Sequence, residues 1–124
     1  MLFGNGEKKS IAPEGAPTVL LPVEHSTMTI EARQQKAESL LRAAGILPVV
    51  TVQTLDEARK VSEALLKGGL PAIELTLRTP VAMDALAMLK KELPDIVIGA
   101  GTVLTQDQIV QSIDAGADFL VTPG

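Results

Sequence analysis

Residues 73–78 read IELTLR, with an acid, a hydroxyl and a base at every second position of an apolar run. If the run is a strand, alternate side chains share a face, so Glu74, Thr76 and Arg78 point the same way. A carboxylate inside such a strand loses hydration, which raises its pKa toward the range useful for proton transfer. The same residue equally fits one half of a structural ion pair, which also perturbs pKa values. Arg78 suits recognition of a carboxylate or phosphate through two parallel N–H groups, or simply ends the strand in solvent. Further on, Gly99, Ala100, Gly101 and Thr102 end another apolar run. Glycines there let a ligand approach the backbone, and Thr102 offers an oxyanion its hydroxyl and main-chain N–H. Ordinary turn chemistry accounts for the same residues. A third run ends at Thr122, Pro123 and Gly124.

These groups need elements to hold them at one place, and a recurring unit from Gly45 onward supplies them. Residues 46–52, 72–77, 96–101 and 119–122 are short apolar runs rich in β-branched residues and read as strands. Between them lie helical patterns. Thr54 caps a helix over 55–67, with Ala58, Val61, Ala64 and Leu65 inward. Thr79 and Pro80 open a second, reaching about Leu93. Thr105 caps a third, with Ile109, Val110 and Ile113 inward and Gly116 as its stop. Ahead of them, Thr29 or the Ser26–Thr27 pair caps a helix running to Ala44. Its apolar positions are Ile30, Ala37, Leu40 and Leu41.

Corresponding strand positions Pro48, Ile73, Ile98 and Leu120 recur about every 25 residues, the length of one βα unit with short loops. Such alternation means a parallel sheet covered on both faces, with right-handed crossovers. An open doubly wound sheet would usually carry a glycine fingerprint for phosphate, and Gly99-Ala-Gly101 lacks its third glycine. A (β/α)8 barrel uses the unit eight times in about 250 residues. Four strands in 124 residues are half of that, so the pattern is expected to be a TIM barrel truncated after about four strands. Sites in such barrels gather at the carboxyl ends of the strands, where all the groups above fall.

Composition removes several alternatives. Eleven basic residues against 15 acidic ones give a net charge of −4, which argues against a general nucleic-acid binder. The chain has no cysteine and one histidine, His25, so neither a thiolate nor a multi-histidine metal site can be built. No apolar run approaches the ~20 residues of a membrane span, and no secretory signal is evident. A soluble, intracellular domain with an aliphatic core is expected, its only aromatics being Phe3 and Phe119. Residues 1–28, rich in glycine and proline, are expected to be a leader or disordered tail; an edge strand over 19–23 is weakened by Pro22. The domain proper then covers 29–124.

The strings GILPVV at 45–50, IELTLR at 73–78, GAGTVL at 99–104 and AGADFLVTPG at 115–124 occur in order. Together they resemble the 2-keto-3-deoxy-6-phosphogluconate and 4-hydroxy-2-oxoglutarate aldolases over about residues 36–124. The resemblance implies a class I aldolase on a (β/α)8 barrel, homotrimeric, cytoplasmic and needing neither metal nor cofactor. The implied substrate is a small keto-acid phosphate, cleaved to pyruvate and glyceraldehyde 3-phosphate as the last step of the Entner–Doudoroff route. Many such enzymes also cleave 4-hydroxy-2-oxoglutarate to pyruvate and glyoxylate. A lysine forms a Schiff base with the ketone, and the iminium takes up the electrons of the broken carbon–carbon bond. By position, Glu74 matches the general acid–base, Arg78 a substrate-binding residue, Thr102 the holder of the pyruvate carboxylate and Pro123 a residue shaping the site. Some relatives carry arginine where this chain has Thr51, which leaves substrate preference open.

The resemblance also implies a Schiff-base lysine on the sixth strand and phosphate loops after strands seven and eight. None of these falls within residues 1–124. The lysines fall on predicted helices or in the first 28 residues, so the chain by itself is expected to be inactive. Two other readings fit the pattern: a non-catalytic half-barrel that serves assembly, and another phosphate-sugar barrel enzyme.

Overall fold

The computed structural model describes residues 18–20 and 29–123. Its elements are β1 (Thr18–Leu20), α1 (Ile30–Ala44), β2 (Val49–Val50), α2 (Leu55–Lys67), β3 (Ala72–Thr76), α3 (Ala82–Glu92), β4 (Val97–Gly101), α4 (Gln106–Asp114) and β5 (Phe119–Thr122). Local chemistry sets most of the helix boundaries. Thr29, Thr54 and Thr105 are extended and their hydroxyls accept from Ala32, Glu57 and Gln108 N–H respectively, satisfying donors the first turn leaves free. Gln108 completes a reciprocal box on Thr105. At the other end of α1, Gly45 adopts φ 69° and closes the helix on the Leu41 and Arg42 carbonyls.

One helix start differs from expectation. α3 begins after Val81 with no side-chain cap. The Thr79 hydroxyl instead donates to the Val52 carbonyl at 2.7 Å, tying the turn after β3 to the segment after β2. The first predicted strand, 46–52, is also reduced to Val49–Val50. It lies at an edge, and Pro48 has no N–H to extend the ladder, although its carbonyl accepts from Glu74 N–H at 2.8 Å. Two inward positions shift as well. Ser112 is buried in α4 while Val110 is exposed, and Ser62 is buried in α2 while Ala64 is exposed. The other inward positions Ala58, Leu65, Ile109 and Ile113 do pack on the core, so in each helix one expected apolar position gives way to a serine two residues away.

The sheet order is β1-β5-β4-β3-β2, with β2 to β5 parallel. This is the expected α/β architecture. One face carries Ile73, Leu75, Ile98, Ala100 and Leu120 against Ala58, Ala85, Leu86 and Leu89 of α2 and α3. Each fully buried leucine or isoleucine there contributes roughly 1.5–3 kcal/mol. The opposite face presents Phe119 and Val121, against which Ala37, Leu40 and Leu41 of α1 pack together with Leu47 and Val97. β1 pairs antiparallel with β5, Thr18 opposite Thr122 and Leu20 opposite Leu120. An edge strand therefore forms within the expected leader, and none of its three paired residues is a proline. The remainder of residues 1–28 lies outside the described residues.

Candidate active site

Register lines up two rows across the face opposite α2 and α3. Val49, Glu74, Gly99 and Phe119 form one row. Thr76 and Gly101 form the next, one step nearer the carboxyl ends. Thr51 extends that second row: its hydroxyl and that of Thr76 are 2.7 Å apart. The Thr76 side chain is buried, so this bond satisfies a hydroxyl that would otherwise be costly.

The two glycines of β4 hold side chains of their neighbours. A Cβ added to Gly99 would come within 2.5 Å of Phe119 Cδ2 and closer still to the ring tip. A Cβ added to Gly101 would come within 2.7 Å of Glu74 Cγ and 2.8 Å of its Cδ, and closer to Oε1. Glu74 is therefore not over its register partner Gly99, where the Phe119 ring already lies. It leans toward the carboxyl end and rests over Gly101. The glycines were expected to admit a ligand; the protein's own side chains fill the space over both.

The Glu74 side chain is half-buried, and among the described residues no hydrogen bond to its carboxylate is found. Burial pushes its pKa above the usual glutamate range, and the Arg78 charge pulls it part of the way back. Desolvation is the larger of the two effects. Arg78 lies beyond the end of β3 and is exposed, and its Nε donates to Thr102 Oγ1 at 3.3 Å.

Thr102 follows β4 with φ 58°, the one positive φ at a non-glycine among the described residues. Such a conformation costs of order 1–3 kcal/mol and persists where surroundings impose it. Here they do: Leu77 N–H donates to Gly101 carbonyl at 2.8 Å, and Val103 N–H to Val121 carbonyl at 3.2 Å. Both neighbours of Thr102 are pinned, and the turn aims its hydroxyl at Arg78. Pro123 follows β5 at the same end and is exposed. With no N–H it has no donor to offer the other three.

The structure thus groups Glu74, Arg78 and Thr102 at the carboxyl ends of β3 and β4. Phe119 was not assigned to the site from sequence, and Thr51 was singled out there only as a position where some relatives carry arginine. A signal for Thr51 existed, since it precedes Thr76 by 25 residues, the repeat length itself. Among the described residues no three His, Cys, Asp or Glu side chains gather for a metal, and no helix is long and apolar enough to cross a membrane.

The family model for KDPG and KHG aldolase matches residues 37–124. The chain belongs to the KDPG and KHG aldolase family. The KHG/KDPG aldolase of Escherichia coli K12 is 42% identical over 88 residues, which are 71% of this chain and 41% of that protein. The 2-dehydro-3-deoxy-phosphogluconate aldolase of Pseudomonas aeruginosa is 41% identical over 95 residues, 77% of this chain and 43% of that one. Among solved structures, the KDPG aldolase of Zymomonas mobilis ZM4 with 3-phosphoglycerate superposes with a TM-score of 0.68 at 41% identity, covering 73% of this chain and 43% of that one. The Legionella pneumophila KDPG aldolase, holding pyruvate as a covalent carbinolamine, gives 0.61 at 43% identity, with 64% and 38% covered. The chain spans about two fifths of the length of these KDPG and KHG aldolases. Its four parallel strands match strands of their TIM barrel.

Proposed function

We propose that this chain forms the proton-handling part of a class I aldolase site that cleaves 2-keto-3-deoxy-6-phosphogluconate to pyruvate and glyceraldehyde 3-phosphate. Cleavage of 4-hydroxy-2-oxoglutarate to pyruvate and glyoxylate is the second reaction of that site. The observation that carries the reading is the desolvated Glu74 carboxylate, without a hydrogen bond among the described residues, beside the Arg78–Thr102 pair. A carboxyl with a raised pKa can take a proton from the substrate hydroxyl and return one to the enamine carbon. Arg78 and Thr102 offer N–H and O–H donors to the substrate's carboxylate, and Pro123 shapes the rim. The electron sink is a lysine iminium.

The described lysines do not supply that amine. Lys36 lies in α1, Lys60 and Lys67 in α2, and Lys90 and Lys91 in α3. Lys60 is paired with Asp56 and Lys90 with Asp118. No strand lysine therefore stands at this site among the described residues, and treatment of the chain with pyruvate and borohydride is expected to leave Lys36, Lys60, Lys67, Lys90 and Lys91 without an adduct. A chimera tests the chemistry: residues 37–124 replace the matching segment of the Escherichia coli relative. Its folded form should release pyruvate from 2-keto-3-deoxy-6-phosphogluconate, and Glu74→Gln should lower kcat by about 10²–10⁴. A folded chimera whose rate is indifferent to Glu74→Gln would overturn the assignment. The same reading carries a homotrimer and a cytoplasmic location for the whole protein, the former measurable by sedimentation.

A further inference from the structure

We propose that Gly101 is a positioning residue for Glu74: the bare backbone of β4 at this position is the seat on which the carboxylate rests. This deepens the aldolase reading and rests on it for the role of Glu74. Three observations on the page converge. Register pairs Glu74 with Gly99, not with Gly101. The Phe119 ring, fully buried, occupies the space over Gly99 and denies it to Glu74. The Glu74 side chain lies over Gly101, with Cγ and Cδ each under 3.0 Å from where a Cβ would stand. Phe119 thus pushes the acid up the strand, and Gly101 receives it.

The arrangement explains why a half-buried carboxylate stands at this height without a hydrogen-bonding partner among the described residues. The bare β4 backbone at Gly101 leaves room for the side chain, and the phenyl ring over Gly99 fills the neighbouring space. Among the described residues, the strands around it bring no competing charge, and α1, which packs on this face through Ala37, Leu40 and Leu41, has none of its charged residues acting on the carboxyl. β2 presents Val49 and Thr51, β4 presents Gly99 and Gly101, and β5 presents Phe119 and Val121. Arg78, past the end of β3 itself, is the charged group that acts on the carboxyl. A methyl at position 101 meets only the far part of a flexible side chain, so the sheet can keep its ladder while Glu74 is turned out toward water.

The test uses the whole 124-residue chain and needs no turnover. The side-chain carboxyl of Glu74 is titrated by carbon NMR in the parent and in Gly101→Ala. The midpoint is expected to fall toward the ordinary glutamate value, because the displaced carboxylate regains hydration. An unchanged midpoint in a folded Gly101→Ala chain would overturn the proposal. A stability cycle with Glu74→Ala covers the case in which the titration is distorted by partial unfolding. Gly101→Ala should lower the urea midpoint of the parent, and lower it by less than half as much when Glu74 is already alanine. Equal losses in both backgrounds would overturn it too. The chimera assay reads the chemistry of Glu74, whereas these two measurements read its seat, so failure of one leaves the other standing.

Discussion

The two ends of the parallel sheet are built on opposite principles. At the amino end, the Asp118 Oδ2 accepts from the Ile98 N–H and from Lys90 Nζ, each at 2.8 Å, and Lys90 also donates to the Ile96 carbonyl. One carboxylate there closes a strand, a loop and a helix into a satisfied network. At the carboxyl end, the Glu74 carboxylate has no hydrogen bond among the described residues and a raised pKa, Thr102 is held at φ 58°, and Arg78 is exposed. The same chemical group, a carboxylate, serves as a rivet at one end and is kept poorly solvated at the other. Barrel enzymes divide stability and chemistry between their two faces in this sense, and polar groups left short of partners mark the face where a ligand belongs.

The contrast can be broken by experiment. The largest effect is expected between the two ends, at Gly99→Ala. The methyl would enter the fully buried Phe119 ring, which has no room to move, and should cost about 3 kcal/mol, the upper end of overpacking penalties. Thermal unfolding followed by circular dichroism measures it, and adding Phe119→Leu should restore part of the loss. Asp118→Ala comes next, at about 2 kcal/mol, because the Ile98 N–H and the Lys90 ammonium both lose an acceptor. Asp118→Asn keeps the acceptor for Ile98 and should cost less; equal costs would mean that the charge, not the hydrogen bond, holds this end together.

Glu74→Gln should act in the opposite direction. Between the ordinary glutamate pKa, about 4.3, and the raised value in the fold, the folded chain holds more proton than the unfolded one. Stability therefore falls as pH rises through that window, and glutamine removes the fall. After allowance for solvent screening at a half-exposed site, the variant should be more stable than its parent at pH 7 by less than about 1 kcal/mol. Below about pH 4 the two should converge. Urea titrations at the two pH values check the sign, and a variant less stable at pH 7 would place a hidden partner on the carboxylate. The smallest effect is expected at Ser112→Ala. The buried Ser112 hydroxyl has no partner among the described residues, so its removal from α4 should gain about 0.5 kcal/mol in the same assay.

Much of this was legible in the residues. Strand and helix types followed from periodicity, and β5 and α2 have the predicted bounds because β-branched runs and threonine caps are local signals. Glu74 stood out for the same reason that its pKa is raised, a charge in an apolar strand. What could not be read was which neighbour fills which space. The ring over Gly99, and the carboxylate displaced from it, depend on strand register and on Phe119, which lies 20 residues further along the chain. Thr79 shows the same limit: its sequence fits a helix cap, yet the Val52 carbonyl, brought close only by the tertiary fold, takes the hydroxyl. Arg78 was placed on the Glu74 face by strict alternation, but β3 ends at Thr76, and the arginine reaches Thr102 from the turn instead.

The pairing of β1 with β5 has a consequence for how such a sheet can grow. A strand has two sides for hydrogen bonding, and those of β5 are taken by β4 on one side and by Thr18, Val19 and Leu20, running the other way, on the second. A parallel newcomer at that margin would have to evict three residues before it could dock. The short N-terminal strand thus acts as a bookmark at this margin, masking amide groups that would otherwise be open to pairing with a stranger.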